Sequence, residues 1–205
     1  MDNDTFRREV FCRNPPGSVE LLGDKCVAIC GAGGLGSNIA LSLVRSGIQH
    51  LVIVDYDTVE LSNLNRQFYF LDQVGMVKVD ALRENLLRIN PHLDLTTHRA
   101  RVDENNFPGF FSGADILVEA FDDADQKAMV ANSWLHLFPE RYIVMGSGLS
   151  GYGKNEMIET IRHGRLIICG DQRTQANKEN GLCAARLGVV AQMQANAVIE
   201  ILLEA

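Results

Sequence analysis

The chain has 205 residues, 46% of them hydrophobic and 22% charged, with a formal net charge of −7 and an isoelectric point near 5.2. That size and apolar content suit one domain with one substantial core, and the acidic balance excludes an extended nucleic-acid surface, which needs clustered Lys and Arg. Residues 1–13 are too charged for a signal peptide and no apolar run approaches the ~20 residues of a membrane span. A cytoplasmic protein with no membrane attachment is therefore expected, its five cysteines reduced.

After an N-terminal arm, 1–24, a buried strand is predicted at 25–30, a glycine-rich turn at 31–36, and a helix at 37–45 closed by Gly47. A second strand covers 51–55. A polar stretch, 57–73, leads to a helix at 77–89 with Leu82, Leu86 and Ile89 on one face, ended by Asn90-Pro91. Strands come next at 93–97, 115–119 and 142–145, with a helix at 124–138 between the last two. Short β-branched runs alternating with helical periods indicate βαβ units with right-handed crossovers and a sheet of five strands or more. Past Gly151 the pattern becomes a hairpin, 156–162 and 166–169, turning at His163-Gly164 and forming an antiparallel edge. Residues 171–181 are polar and without period, a candidate mobile loop. Residues 184–203 read as a terminal helix apolar on most sides, buried or dimer-forming. The expected fold is α/β: a Rossmann-like, doubly wound, mostly parallel sheet with an antiparallel extension near the C-terminus. It forms one domain, 1–205, made of the arm, a nucleotide-binding core (25–150) and a C-terminal part (151–205).

Gly31, Gly33, Gly34 and Gly36 satisfy G-x-G-x-x-G after a strand and before a helix, where the motif has physical meaning. Without Cβ atoms the loop turns tightly and lets a phosphate approach backbone N–H groups at the positive end of a helix. Asp55 ends the next strand, where a carboxylate accepts hydrogen bonds from ribose hydroxyls. Loop and carboxylate do not by themselves separate ATP from NAD.

The next stretch of chain is more specific: Asp55-Tyr-Asp57-Thr-Val-Glu60-Leu-Ser62-Asn63-Leu64-Asn65-Arg66-Gln67, then Lys78 after Gly75. The order GxGGLGS, D-x-D-x-V-x-x-S-N-L-N-R-Q and G-x-x-K resembles the ThiF/MoeB-like adenylyltransferases of the ubiquitin-activating superfamily, ThiF most of all. Asn63, Arg66 and Gln67 stand at i, i+3 and i+4 and are expected on one face of a helical turn. Adenylation needs cations around an α-phosphate that gains charge as pyrophosphate leaves. Arg66 as a two-pronged clamp and Lys78 as a point charge suit that need.

The resemblance implies ATP and Mg²⁺ as cofactors, with Gly31, Gly33, Gly34, Gly36, Asp55, Asp57, Asn63 and Gln67 around the nucleotide. It also implies that Asp122, in Ala120-Phe121-Asp122-Asp123 where relatives carry C-T-D-N, holds the Mg²⁺. Arg13, with Arg7 and Arg8 as fallbacks, corresponds to an arginine that reaches the partner subunit's site, so a homodimer is implied. The substrate implied is a ubiquitin-like sulfur carrier protein with a Gly-Gly tail, ThiS-like, in thiamine biosynthesis. Cys183, before Ala184-Ala185-Arg186, stands near a reactive cysteine of several relatives and is a possible acyl-accepting thiol. Cys26 and Cys30 read as core. With only Cys169 and Cys183 in the C-terminal region, the paired CxxC motifs of zinc-holding relatives are missing and no zinc is expected. Three readings stay open beside this one: another carboxylate substrate, an NAD-dependent oxidoreductase, and a non-catalytic nucleotide-binding module.

Overall fold

The computed structural model describes residues 1–177 and 179–204; residue 178, within the loop predicted at 171–181, and residue 205 lie outside the described residues. Seven strands form one sheet: β1 (Cys26–Cys30), β2 (His50–Asp55), β3 (Asp94–Arg99), β4 (Ile116–Glu119), β5 (Tyr142–Gly146), β6 (Glu159–His163) and β7 (Leu166–Gly170). Their order is β3-β2-β1-β4-β5-β7-β6, all parallel except the β6–β7 pair. This is the doubly wound, Rossmann-like arrangement with the antiparallel extension the sequence predicts. The order reverses between β1 and β4, the switch point outside which open α/β sheets place ligands.

The strands differ as their positions require. Central β4 is buried at every residue, as a strand covered on both faces must be, whereas the outermost β6 is exposed at all residues but Ile161. Helices cover both faces: α1 (Asn3–Val10), α2 (Ser18–Gly23), α3 (Gly34–Ser46), α4 (Lys78–Leu87), α5 (Phe107–Phe111), α6 (Ala124–Leu137) and α7 (Ala184–Glu204). One core lies under α3, α4 and α7, built on Ile29, Ile39, Leu43, Ile53, Leu82 and Val198. The other, under α5 and α6, is aromatic, with Phe107 edge-on to Phe111 at 4.9 Å and Trp134 against Phe138 at 4.8 Å. Helix α7 packs on α3, β5 and β7. By length and composition α7 is apolar enough to cross a membrane, but half of that stretch is buried inside the fold.

Helix α3 starts at Gly34, three residues earlier than predicted, because Gly34 and Gly36 turn with the helix rather than with the loop. Its end is as predicted: Gly47 takes φ +107° and its N–H returns to the carbonyls of Leu43 and Val44. The polar stretch 57–73 contains two short 3₁₀ turns, Leu61–Asn63 and Leu71–Gln73. The third strand spans Asp94–Arg99 rather than 93–97, and the hairpin's first strand begins at Glu159 after a 3₁₀ turn at Asn155–Met157. Helices α1, α2 and α5 were not predicted; each is eight residues or shorter, too brief to declare a period.

Candidate functional site

The glycine loop leaves β1 and enters α3 under tight steric demand. Gly31 has φ +99°, donates its N–H to the Val54 carbonyl at 2.8 Å, and would set a Cβ 2.9 Å from the Ala120 oxygen. A Cβ on Gly36 would lie 1.8 Å from the Gly31 oxygen, and one on Gly34 2.7 Å from Leu187 Cδ1. Gly33 differs: the nearest atom to its Cβ position is Gln67 Nε2, 3.9 Å away. Gly31 and Gly36 are therefore demanded by backbone packing, Gly34 faces only the movable end of the Leu187 side chain, and the space over Gly33 is left for something else. Among the described residues no side chain caps α3, so its first N–H groups face that space with the positive end of the helix behind them.

Asp55 ends β2 beside this loop. Its Oδ2 accepts the Ala32 N–H at 2.6 Å and its Oδ1 the Asp57 N–H at 2.8 Å. Burial pushes its carboxyl above the usual carboxylate range, against those hydrogen bonds and the nearby Lys78. Asp55 thus fastens the loop to β2, and each oxygen keeps a lone pair for a ribose hydroxyl. Tyr69, not singled out in the sequence, donates its hydroxyl to the Ala32 carbonyl at 2.6 Å and to the Lys78 carbonyl at 3.3 Å. Burial drives that hydroxyl's pKa up, so it stays a donor. Its one clue was an aromatic inside a polar stretch.

Lys78 opens α4 and is buried, its Nζ donating to Asp57 Oδ2 at 2.8 Å. Asn63, Arg66 and Gln67 do turn together, the N–H groups of Arg66 and Gln67 both bonding the Asn63 carbonyl, but their side chains part. Asn63 spends its amide oxygen on the Glu60 N–H at 3.1 Å. Arg66 Nη1 donates to the Ser62 carbonyl at 3.2 Å and to Asn65 Oδ1 at 2.8 Å. Gln67 is buried with its Nε2 3.9 Å from the Cβ position of Gly33, and among the described residues its Oε1 has no hydrogen-bond partner. The three side chains thus take different partners: the Asn63 amide oxygen accepts a backbone N–H, Arg66 donates to local acceptors, and Gln67 lies beside Gly33.

On the loop's other flank β4 ends at Glu119, whose side chain is fully buried. Glu119 Oε1 accepts the Phe121 N–H at 2.6 Å and Oε2 accepts Lys127 Nζ at 2.6 Å, while Lys127 also donates to the Phe121 carbonyl at 3.0 Å. Burial raises the Glu119 carboxyl above the usual range and Lys127 opposes that shift. Asp122 is the next residue but two, exposed, and among the described residues its carboxylate accepts no hydrogen bond. Asp123 caps α6 by accepting the Gln126 N–H at 2.8 Å. Among the described residues no three His, Cys, Asp or Glu side chains gather into a metal cage. One free carboxylate beside a phosphate loop instead fits Mg²⁺ in the form nucleotides carry it, held by phosphates and one or two protein oxygens.

Arg13 is not part of this cluster within one chain. It is exposed, and its neighbour Asn14 bonds the Ser46 carbonyl at 2.9 Å, at the far end of the 13-residue α3, roughly 20 Å from the glycine loop. Arg7 is committed to the Val19 carbonyl at 2.8 Å, and Arg8 pairs with Glu9 on the surface. Cys183 is exposed at the start of α7, its carbonyl accepting the Leu187 N–H at 3.0 Å. Three residues on, buried Arg186 pairs with buried Asp171 at 2.6 Å and donates to the Gly153 carbonyl. The Asp171 carboxyl is held below the usual range: hydrogen bonds from Thr174, Arg173 and Arg186 outweigh its burial. Cys30 and Cys169 are buried and Cys26 half-buried. Two surface hollows, of about 650 and 440 Å³, line the outer side of α7 and contain none of these site residues.

The ThiF family model matches residues 13–205. Among curated proteins, ubiquitin-like modifier-activating enzyme 5 of Caenorhabditis briggsae is 33% identical over 187 residues, 82% of this chain and 43% of that protein. The enzyme of the same name from Oryza sativa subsp. japonica is 31% identical over 211 residues, 90% of this chain and 49% of its own length. The chain thus spans about half the length of these relatives. Among solved structures, E. coli tRNA N6-threonylcarbamoyladenosine dehydratase, TcdA, in complex with AMP, superposes with a TM-score of 0.86 at 19% identity, covering 96% of this chain and 95% of that one. E. coli MccB with ATP gives a TM-score of 0.70 at 21% identity over 90% and 58%. At those identities the superpositions establish the fold.

Proposed function

The chain belongs to the ThiF family, and on that premise we propose that it is an ATP-dependent adenylyltransferase acting on a carboxylate, with residues 1–205 as one adenylation unit. One observation carries the reading. At the carboxyl ends of β1, β2 and β4, a loop with open space over Gly33 is flanked by the Lys78–Asp57 pair on one side and the unengaged Asp122 carboxylate on the other. A dehydrogenase would need the loop and Asp55 but has no use for the other two.

ATP's phosphates lie over Gly33 against the N–H groups of α3, with the ribose on Asp55 and Gln67 and Asn63 bordering the nucleotide. The attacking carboxylate is ionised at neutral pH and needs no general base. Catalysis is positioning plus charge stabilisation. Lys78 turns from Asp57 toward the phosphates; Arg66 gives up two local acceptors to do the same. Asp122 would hold Mg²⁺, which when bound would supply positive charge to offset that of the phosphates. Arg13, roughly 20 Å from its own glycine loop, is taken to serve a partner copy's site in a homodimer, as the resemblance implies.

The substrate proposed is the C-terminal carboxylate of a ubiquitin-like sulfur carrier with a Gly-Gly tail, ThiS-like, in thiamine biosynthesis in the cytoplasm. After adenylation the Cys183 thiolate, exposed at a helix start, would attack the acyl carbonyl, forming a thioester as the acyl–phosphate bond breaks and AMP leaves. A second reading, a carboxylate of another kind, is favoured by the full-length superposition on a tRNA-modifying dehydratase; the net charge of −7 speaks against binding RNA. ATP–pyrophosphate exchange with Gly-Gly-tailed carrier proteins tests the proposal. Exchange is expected with a carrier and lost by about 10²-fold or more in Arg66→Ala and Asp122→Ala, the usual cost of one charge-stabilising group. Undiminished exchange in both variants, or exchange only with a small-molecule carboxylate, overturns the mechanism or the substrate respectively.

A further inference from the structure

Lys127 and Glu119 take no part in the proposed chemistry, yet they are built around it. Glu119 is buried at the end of β4 and Lys127 stands on the first turn of α6. Between them they hold both polar groups of one residue: Glu119 accepts the Phe121 N–H at 2.6 Å and Lys127 donates to the Phe121 carbonyl at 3.0 Å. The two side chains close on each other at 2.6 Å. The Glu119 carbonyl is in turn held by Gln194 of α7 at 3.3 Å, and the Ala120 N–H by the Cys30 carbonyl at 2.9 Å. This strand-to-helix turn is therefore over-determined up to Phe121, and the next residue is Asp122, exposed, with a carboxylate that accepts no hydrogen bond among the described residues. The turn also leans on the phosphate loop, since the Ala120 oxygen and the Phe121 ring are among the nearest atoms to Gly31's missing Cβ, at 2.9 and 3.1 Å.

We propose that Glu119 and Lys127 are positioning residues that fix the Phe121 backbone and thereby set where the Asp122 carboxylate meets the magnesium carried by the nucleotide. The inference rests on the adenylyltransferase reading. A purely stabilising pair would not need to grip the backbone on both sides of the residue before the free carboxylate. Two charges taken from water are also a poor route to stability when an apolar pair of the same size would serve as well. The pair instead keeps a short turn in one shape, which a metal ligand needs. Neither side chain touches nucleotide in this scheme; both act through Asp122.

The test is equilibrium binding of a fluorescent ATP analogue to the full chain, with and without Mg²⁺, beside thermal unfolding. Wild type is expected to bind the analogue more tightly with Mg²⁺. Lys127→Met should raise the Mg²⁺ concentration for half-maximal binding about tenfold, the equivalent of one charge-assisted hydrogen bond, and leave Mg²⁺-free binding unchanged. Lys127→Arg should recover most of the loss, and in Asp122→Ala the Mg²⁺ enhancement should vanish whatever stands at 127. Should Lys127→Met not fold, Glu119→Gln, which keeps the side-chain shape, carries the same test. Equal loss with and without Mg²⁺, or an unaltered Mg²⁺ requirement in a folded variant, overturns the positioning role while the adenylation reading stands. Failure of the wild type to bind the analogue at all sinks the adenylation reading first and this inference with it.

Discussion

Two lysine–carboxylate pairs flank the phosphate loop, and they are built for different ends. On the β2 side Lys78 meets an Asp57 whose side chain is 46% exposed; on the β4 side Lys127 meets a Glu119 with no exposure at all. A half-solvated carboxylate gives up its partner at little cost, because water takes the lysine's place. A buried one does not, since an unpaired charge in the interior is expensive. The first pair is suited to a lysine that must leave for a phosphate, the second to a turn that must not move.

That contrast breaks first under Lys127→Met. Leaving Glu119 buried and unpaired should cost about 3–5 kcal/mol and lower Tm by on the order of 10 °C, read by calorimetry; a loss under ~1 kcal/mol would make the two pairs alike. Lys78→Met should behave in the opposite way. Exchange should fall roughly 10²–10³-fold while unfolding in urea shifts by ~1 kcal/mol or less.

The pH dependence sharpens the same point. With its folded carboxyl raised, Glu119 binds a proton more readily in the folded protein than in the unfolded chain. Stability should therefore fall as pH rises from the ordinary carboxylate range through the raised value. Asp171 is held low and has the reverse sign: its contribution is present above the ordinary range and lost as pH falls below it. Unfolding of Glu119→Gln and Asp171→Asn against pH should flatten these two limbs separately, and a single flattened limb common to both would refute the assignment. The smallest effect expected is that of Cys183→Ser, within about 0.5 kcal/mol in stability as for other exposed sites, alongside loss of any thioester-linked carrier on non-reducing gels.

The β2 side of this comparison was legible in the sequence and the β4 side was not. Strands β1, β2, β4 and β5, the glycine loop and the hairpin announce themselves through apolar runs and punctuating glycines, and Asp55, Lys78 and Asp122 stand in an ordered motif. Lys127 shows no such sign: it is one polar residue on a partly exposed helix, and it matters only because a turn folds it back over eight residues onto Glu119. Arg186 finds Asp171 across fifteen residues of which most have no period. The shape of 57–73 escaped for a related reason. Its turns are held by Asn63 and Gln73 side chains bonding the backbone rather than by a hydrophobic stripe, and such bonds leave no rhythm to read.

The four-residue strand β4 meets β1 in the register Cys30↔Glu119 and is enclosed on both faces. Side chains alternate from face to face along a strand, so adding or deleting one amino acid anywhere in 116–119 would swing Glu119 to the opposite side of the sheet. The outer strands β3 and β6 lie at the margins and can lengthen or shorten without that penalty. Length changes between descendants of this chain should therefore gather at the two rims of the sheet and be missing from its central seam.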